Sequence, residues 1–225
     1  MTDQARHAQA ASAPPDLVAV RAELEAAPWH AADLDPDPFA QFGSWLALAR
    51  EVGVAEPDAM VVSTIDERGR PSSRHVLQRG FDGRSFCFYT NYRSQKAREI
   101  EAHPAVALCF PWIAIGRQVR AVGRAQRTTE AESDAYFASR PRQSQVAAWA
   151  SDQSAVIADR AALDARYAEM EDRFEGRPVD RPPHWGGFRV VPDELEFWQS
   201  RPNRLHDRFR YRSVDGGWVV ERLAP

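Results

Sequence analysis

Several polar side chains of this sequence fall where they could hold anions. Arg74 and Arg79 lie on one extended stretch, and Lys96 follows Ser94, a residue type that starts helices. Arg140, Arg142 and Ser144 crowd the junction around Pro141. Arg204, His206 and Arg208 alternate, so on a strand their side chains would share one face. Such a row is not buried without anions or acidic partners. Arg, Lys, hydroxyls and helix N-termini are the usual phosphate ligands, and these groups suffice for two phosphates. Any one of these arginines, taken alone, reads equally well as solvated surface charge. The Arg204–Arg208 row also reads as a structural face paired with Asp207 or Glu196.

Lys96 stands out by composition. Of the 29 lysines and arginines it is the single lysine. A compact, strongly hydrated ammonium is not interchangeable with a planar fork, so its retention suggests a place where only an ammonium fits, although chance retention explains it equally well. Other chemistries find little support. There is no G-x-G-x-x-G, no phosphate-binding P-loop and no G-x-S-x-G. The histidines lack metal-ligand spacing, and Cys87 and Cys109 both sit in apolar runs, where they read as small buried hydrophobes. Trp185-Gly186-Gly187 and Phe197-Trp198 read as core, or as walls for a planar cofactor.

These residues must be positioned by a chain of 225 residues that is 44% hydrophobic, ample for one large or two small domains. A net charge of −3 gives no global attraction for nucleic acid or an anionic membrane. No apolar run reaches the length of a membrane span, and the N-terminus lacks the pattern of a secretory signal; the expected compartment is the cytoplasm. Residues 1–15 are expected to be disordered, residues 16–27 to form a short helix, and Pro28–Pro38 a linker. Asp37 reads as the cap of an amphipathic helix over 38–52, with Pro38 in its first turn. Strands are expected at 59–66, 73–81, 85–90, 105–112 and 118–127, with a helix from Ser94 to Glu101. Helical spacing then covers 129–139, 144–150 and 155–174. Four strands close the chain at 187–191, 194–199, 206–212 and 217–222. This series of antiparallel strands with inserted helices suggests one α+β domain built on a barrel.

A set of ordered motifs resembles the pyridoxamine 5′-phosphate oxidases. They are Arg74-His75-Val76-Leu77, Phe88-Tyr89-Thr90-Asn91, Ser94-Gln95-Lys96, Phe110-Pro111-Trp112 and Arg117-Gln118-Val119. Tyr136 to Arg142, Trp185-Gly186-Gly187-Phe188, Glu196-Phe197-Trp198-Gln199, Arg204-Leu205-His206-Asp207-Arg208 and the ending Arg222-Leu223-Ala224-Pro225 continue the series. The match runs in order from about residue 37 to the C-terminus.

The resemblance implies an antiparallel split β-barrel with peripheral helices, homodimeric, with FMN at the subunit interface. Residues 1–36 would be a flexible segment able to act as a lid, and 37–225 the FMN-binding oxidase domain. Arg74 and Lys96 would hold the FMN phosphate, with Gln153 and Ser154 nearby and His75, Val76 and Leu77 in the same cofactor-binding strand. Tyr89, Thr90 and Gln118 would contact the rest of the flavin, and Trp198 and Arg208 would reach it from the other subunit. The substrate phosphate would fall to Arg79, Tyr136, Arg140 and Ser144, and Arg21 would come from the lid. Arg204 and His206, the catalytic pair, would flank the pyridine ring. The implied reaction oxidises pyridoxamine or pyridoxine 5′-phosphate to pyridoxal 5′-phosphate, with oxygen as acceptor and hydrogen peroxide as product.

Three positions depart from the family pattern. Arg79 stands where lysine is common, Gln95 where an arginine is often found, and Leu24 where some lids carry a tyrosine. The alternatives are a related flavin oxidase of secondary metabolism, of the phenazine-pathway type, or a non-catalytic protein that binds pyridoxal phosphate or flavin.

Overall fold

The computed structural model describes residues 16–225, so the expectation for residues 1–15 lies outside it. Helix α1 (Leu17–Ala26) starts at Asp16, whose carboxylate accepts the Val18 N–H. Helix α2 (Pro38–Glu51) starts as its sequence predicts: Asp37 accepts the Phe39 N–H at 2.9 Å and Pro38 occupies the first turn. Its spaced residues Phe39, Phe42, Trp45, Leu46 and Ala49 are all buried. They form one cluster with Met60, Val62, Phe86, Leu108, Phe110, Trp112, Val119 and Phe197 from the strands.

Those strands make a single antiparallel sheet of nine. They are β1 (Ala59–Ile65), β2 (Pro71–Leu77), β3 (Gly80–Phe81), β4 (Phe86–Asn91), β5 (Ala105–Trp112), β6 (Arg117–Arg127), β7 (Trp185–Gln199), β8 (Asp207–Val214) and β9 (Gly217–Arg222). The order is β2-β1-β5-β6-β7-β4-β3, with β8 and β9 added beside β7. Helix α3 (Gln95–Ala102) follows β4 and is capped by Ser94. Helices α4 (Glu130–Ser139), α5 (Arg142–Ala150) and α6 (Arg160–Arg173) lie between β6 and β7. They bury a second, smaller cluster around Phe137, Val146, Phe174 and Trp185.

The structure corrects four of the expected elements. The stretch 73–81 is two strands, because its backbone changes partners: β2 pairs with β1, Gln78 N–H donates to Asp58, and Arg79 N–H donates to Cys87 on the β4 side. The two strands expected at 187–191 and 194–199 are one strand of 15 residues. Its pairing with β6 shifts register at Val122/Gly123, where Val122 faces Glu194 and Gly123 faces Pro192. Residue 193 is absorbed in that bulge, which lets a proline sit inside a ladder. Helix α6 begins at Arg160, not 155, because Asp159 caps it by accepting the Ala162 N–H. Strand β8 begins at Asp207, so Arg204 is not on it.

Residues 16–36, expected as a flexible lid, contribute Leu17, Val20, Leu24, Trp29 and Leu34 to the edge of the main apolar cluster. Cys87 is buried and Cys109 half-buried, both as free thiols. Among the described residues no helix is long and apolar enough to cross a membrane.

Candidate active site

A cleft of about 550 Å³ opens where β2, β4 and α3 meet α4 and α5. It is lined by His75, Val76, Leu77 and Arg79 from the β2 side, Tyr89 and Thr90 from β4, Lys96 from α3, and Tyr136, Arg140, Ser144 and Gln153 from the helical layer. Trp185, at the start of β7, closes one wall. Lys96 and Gln153, expected at the cofactor phosphate, thus share one cavity with all four residues expected at the substrate phosphate, whereas Arg74 and Ser154 are not among its lining residues.

The cations of this cleft are supported mostly by neutral groups. Lys96 is 8% exposed, and its ammonium donates to Thr90 Oγ1 at 3.2 Å and Gln153 Oε1 at 3.1 Å. Thr90 also donates to Gln153 Oε1, closing a small triangle. Burial, and then the nearby Arg74 charge, pull the Lys96 pKa down to about 8, against the opposing pull of Glu99. An ammonium so placed is poorly compensated and would gain from an anion. Arg140 also lacks a carboxylate partner among the described residues; one guanidinium nitrogen is buried and donates to nothing. Burial lowers the pKa of Arg140 from its ordinary value. Tyr89 and Tyr136 stack at 3.9 Å, and burial pushes the Tyr89 phenol up to about 12, so it stays protonated as a donor.

Arg74 is held differently. It ion-pairs with Glu99 at 3.3 Å and donates to Ser72 Oγ, Thr64 Oγ1 and the Val62 carbonyl. Burial works to raise the Glu99 pKa, but hydrogen bonds from Thr64, Ser72 and Gln95 and the Arg74 charge hold it below the usual range. Gln95 therefore serves Glu99, with its side-chain amide 2.8 Å from Oε1, and its backbone N–H donates to Ser154. Glu99 was not singled out in the sequence. The signal that could have found it is its i,i+3 spacing from Lys96, which places both on one helix face.

The remaining expected residues gather elsewhere. Gln118, Trp198 and Arg208 stand side by side across β6, β7 and β8. Arg208 donates to Glu196 at 2.8 Å and to the Ala224 carbonyl at 2.9 Å. His206 packs on Trp198 with ring centroids 4.5 Å apart, and its Nδ1 accepts the Arg201 N–H. With Nδ1 as acceptor, the neutral imidazole carries its proton on Nε2. Arg204 lies in a short turn, Pro202–Arg204, where Asn203 and Arg204 are both left-handed, and it is exposed. The expected Arg-His-Arg strand row is therefore replaced by a turn residue, a residue at the strand's entrance and a strand residue. Arg21 belongs to this end as well: it pairs with Glu25 at 2.8 Å and reaches the Ile113 carbonyl. Arg201, unremarked in the sequence, ties this end together by pairing with Asp207 and donating to the Leu24 and Glu25 carbonyls of α1. Arg142, expected near the phosphates, instead donates to the Arg177 and Phe174 carbonyls.

Two groups of candidate residues result, one at each end of β7. Trp185 marks the first and Trp198 the second. At about 3.3 Å per residue, some 40 Å of extended strand runs between them.

Comparison with known proteins gives two family matches. Residues 48–174 match the model described as pyridoxamine 5′-phosphate oxidase, and residues 185–225 match the pyridoxine 5′-phosphate oxidase C-terminal dimerisation region. A pyridoxine/pyridoxamine 5′-phosphate oxidase of Rubrobacter xylanophilus is 55% identical over 93% of this chain and 97% of its own length. One from Myxococcus xanthus is 52% identical over 87% of this chain and 95% of its own. Among solved structures, PhzG of Burkholderia lata, in complex with tetrahydrophenazine-1-carboxylic acid, is 32% identical, with a TM-score of 0.83 over 89% of this chain and 100% of that one.

Proposed function

This chain belongs to the pyridoxamine 5′-phosphate oxidase family, and on that premise we propose that it oxidises pyridoxamine and pyridoxine 5′-phosphates to pyridoxal 5′-phosphate with FMN as its flavin. The observation that carries this reading is the cleft whose cations, Lys96 and Arg140, are supported by oxygens and rings rather than acids. Such a donor set fits phosphate monoesters, which both FMN and the substrates carry. Lys96, Arg74, Thr90 and Gln153 would hold the cofactor phosphate. Arg79, Tyr136, Arg140 and Ser144 would hold that of the substrate.

The chemistry a bound flavin supplies is two-electron oxidation, with oxygen as final acceptor and hydrogen peroxide as product. The protein's share is binding and orientation. His206, its proton directed to Nε2, can donate one hydrogen bond to the substrate ring, and Arg204 supplies a fixed charge beside it. Both belong to the half-site far along β7 from the cleft, so the partner subunit of a homodimer would bring them to it. The matched dimerisation region supports this arrangement.

The test is direct. Purified protein should be yellow and should release peroxide with both phosphorylated substrates. Colourless protein that still binds pyridoxal phosphate would leave the non-catalytic binder standing. The likeness to PhzG favours a second reading, a flavin oxidase acting on a larger ring system. Turnover of phenazine precursors in preference to the phosphorylated pyridines would support it.

A further inference from the structure

Trp185 is 6% exposed and lines the cleft beside Tyr136 and Arg140, two of the four proposed substrate-phosphate residues. The Arg140 guanidinium carbon stands 4.6 Å from the centre of its ring. The ring lies within 5° of parallel to Tyr136 and 12° of parallel to Tyr89, and Phe137 meets its edge at 5.1 Å. Arg140 meanwhile has a buried nitrogen with no acceptor. A cation taken out of water is usually held by a carboxylate, but a carboxylate would occupy the same N–H groups that a phosphate needs. An aromatic face attracts the cation through its ring quadrupole and takes no N–H group.

We propose that Trp185 is a positioning residue for phosphate recognition: its ring face holds the Arg140 guanidinium over the cleft with its donors free. This rests on the reading of the cleft as a phosphate-ester site. Trp185 therefore governs how well the enzyme grips the unchanging phosphate, and has little part in the step at the ring carbon.

The experiment uses full-length, flavin-loaded protein carrying Trp185→Leu or Trp185→Phe, each with and without Arg140→Ala. For each variant KM and kcat with pyridoxine 5′-phosphate, bound flavin per chain and melting temperature are measured. A desolvated cation–π contact corresponds to about 3- to 30-fold in affinity, so Trp185→Leu should raise KM by that factor while kcat changes less. Trp185→Phe, which keeps a weaker ring, should fall between Leu and wild type. In the Arg140→Ala background the Trp185 substitutions should add little more to KM. A KM penalty that persists in full without Arg140, or a loss that falls mainly on kcat, overturns the proposal. If the Leu variant does not fold, Trp185→Phe decides alone: a rise of about twofold or more that vanishes with Arg140→Ala supports it, and no rise, or a persistent one, overturns it. Wild-type protein that makes no peroxide would instead remove the function reading, whereas turnover insensitive to Trp185 removes only this inference.

Discussion

Lys96 shows how a single residue couples the cleft to pH. Burial and the Arg74 charge pull its pKa down to about 8, so the ammonium is lost as pH rises through that value. A phosphate favours the charged form, so binding should take up a proton near pH 8, and flavin affinity should weaken as pH climbs from 7 to 9.5. Lys96→Arg removes the titration and should flatten that slope while binding less well overall, because a fork needs another position. Lys96→Ala should cost about 10- to 150-fold in affinity, the range for one charged hydrogen bond of roughly 1.5–3 kcal/mol. Titrations of flavin fluorescence across pH check all three, and a flat wild-type profile would show that Lys96 is not the ligand. Arg140 and Arg204 should divide the kinetics. Arg140 is proposed to meet a phosphate that is unchanged in the reaction, so Arg140→Ala should raise KM more than it lowers kcat. Arg204→Ala should lower kcat with flavin still bound, since small misplacements at the reacting centre are costly. Normal single-turnover flavin reduction in Arg204→Ala would take this residue off the catalytic list.

At the scale of elements, caps were the most legible feature of the sequence and strand continuity the least. Asp37-Pro38 and Ser94 each mark a helix start because their side chains satisfy backbone donors within three residues, a local event. The merging of two expected strands into β7 was hidden because Pro192 ordinarily ends a ladder, and only the bulge beside it at residue 193 of β7 removes that penalty. The split of 73–81 was hidden for the same reason in reverse: its polar alternation continues while its partners change. Arg204 was misplaced because two successive left-handed residues, neither of them glycine, are not legible from residue type. The cleft itself was largely legible as a set of motifs, but Glu99 offered only its spacing from Lys96, and Arg201 acts through α1, far away in sequence, with no local signal of it. The bulge yields a prediction of its own. A Cβ added at Gly123 would stand 2.2 Å from the Val191 carbonyl oxygen and 2.6 Å from Pro192 Cα. Gly123→Ala should therefore shift β6 against β7 and destabilise the fold by about 1–3 kcal/mol, read as a fall in chemical-denaturation midpoint. An unchanged midpoint would mean the ladder can slide there freely.

For the whole molecule, the length of β7 is decisive. If the proposed site needs both groups of residues, the length of β7 keeps one chain from closing it alone, and a two-fold partner running the other way would close both at once. Sedimentation of the flavin-loaded protein should give a dimer with two flavins, and a flavin-saturated monomer would refute the shared site. The same strand has a genetic corollary. A chain disabled at the cleft by Arg140→Ala and a chain disabled at the far end by Arg204→Ala should each be inactive or weak as pure dimers. When the two are co-expressed, a mixed pair carries both lesions in one site and neither in the other. Two defective alleles of this gene should therefore complement each other, restoring about a quarter of the wild-type sites if subunits assort at random, whereas two alleles damaged at the same end of β7 should not.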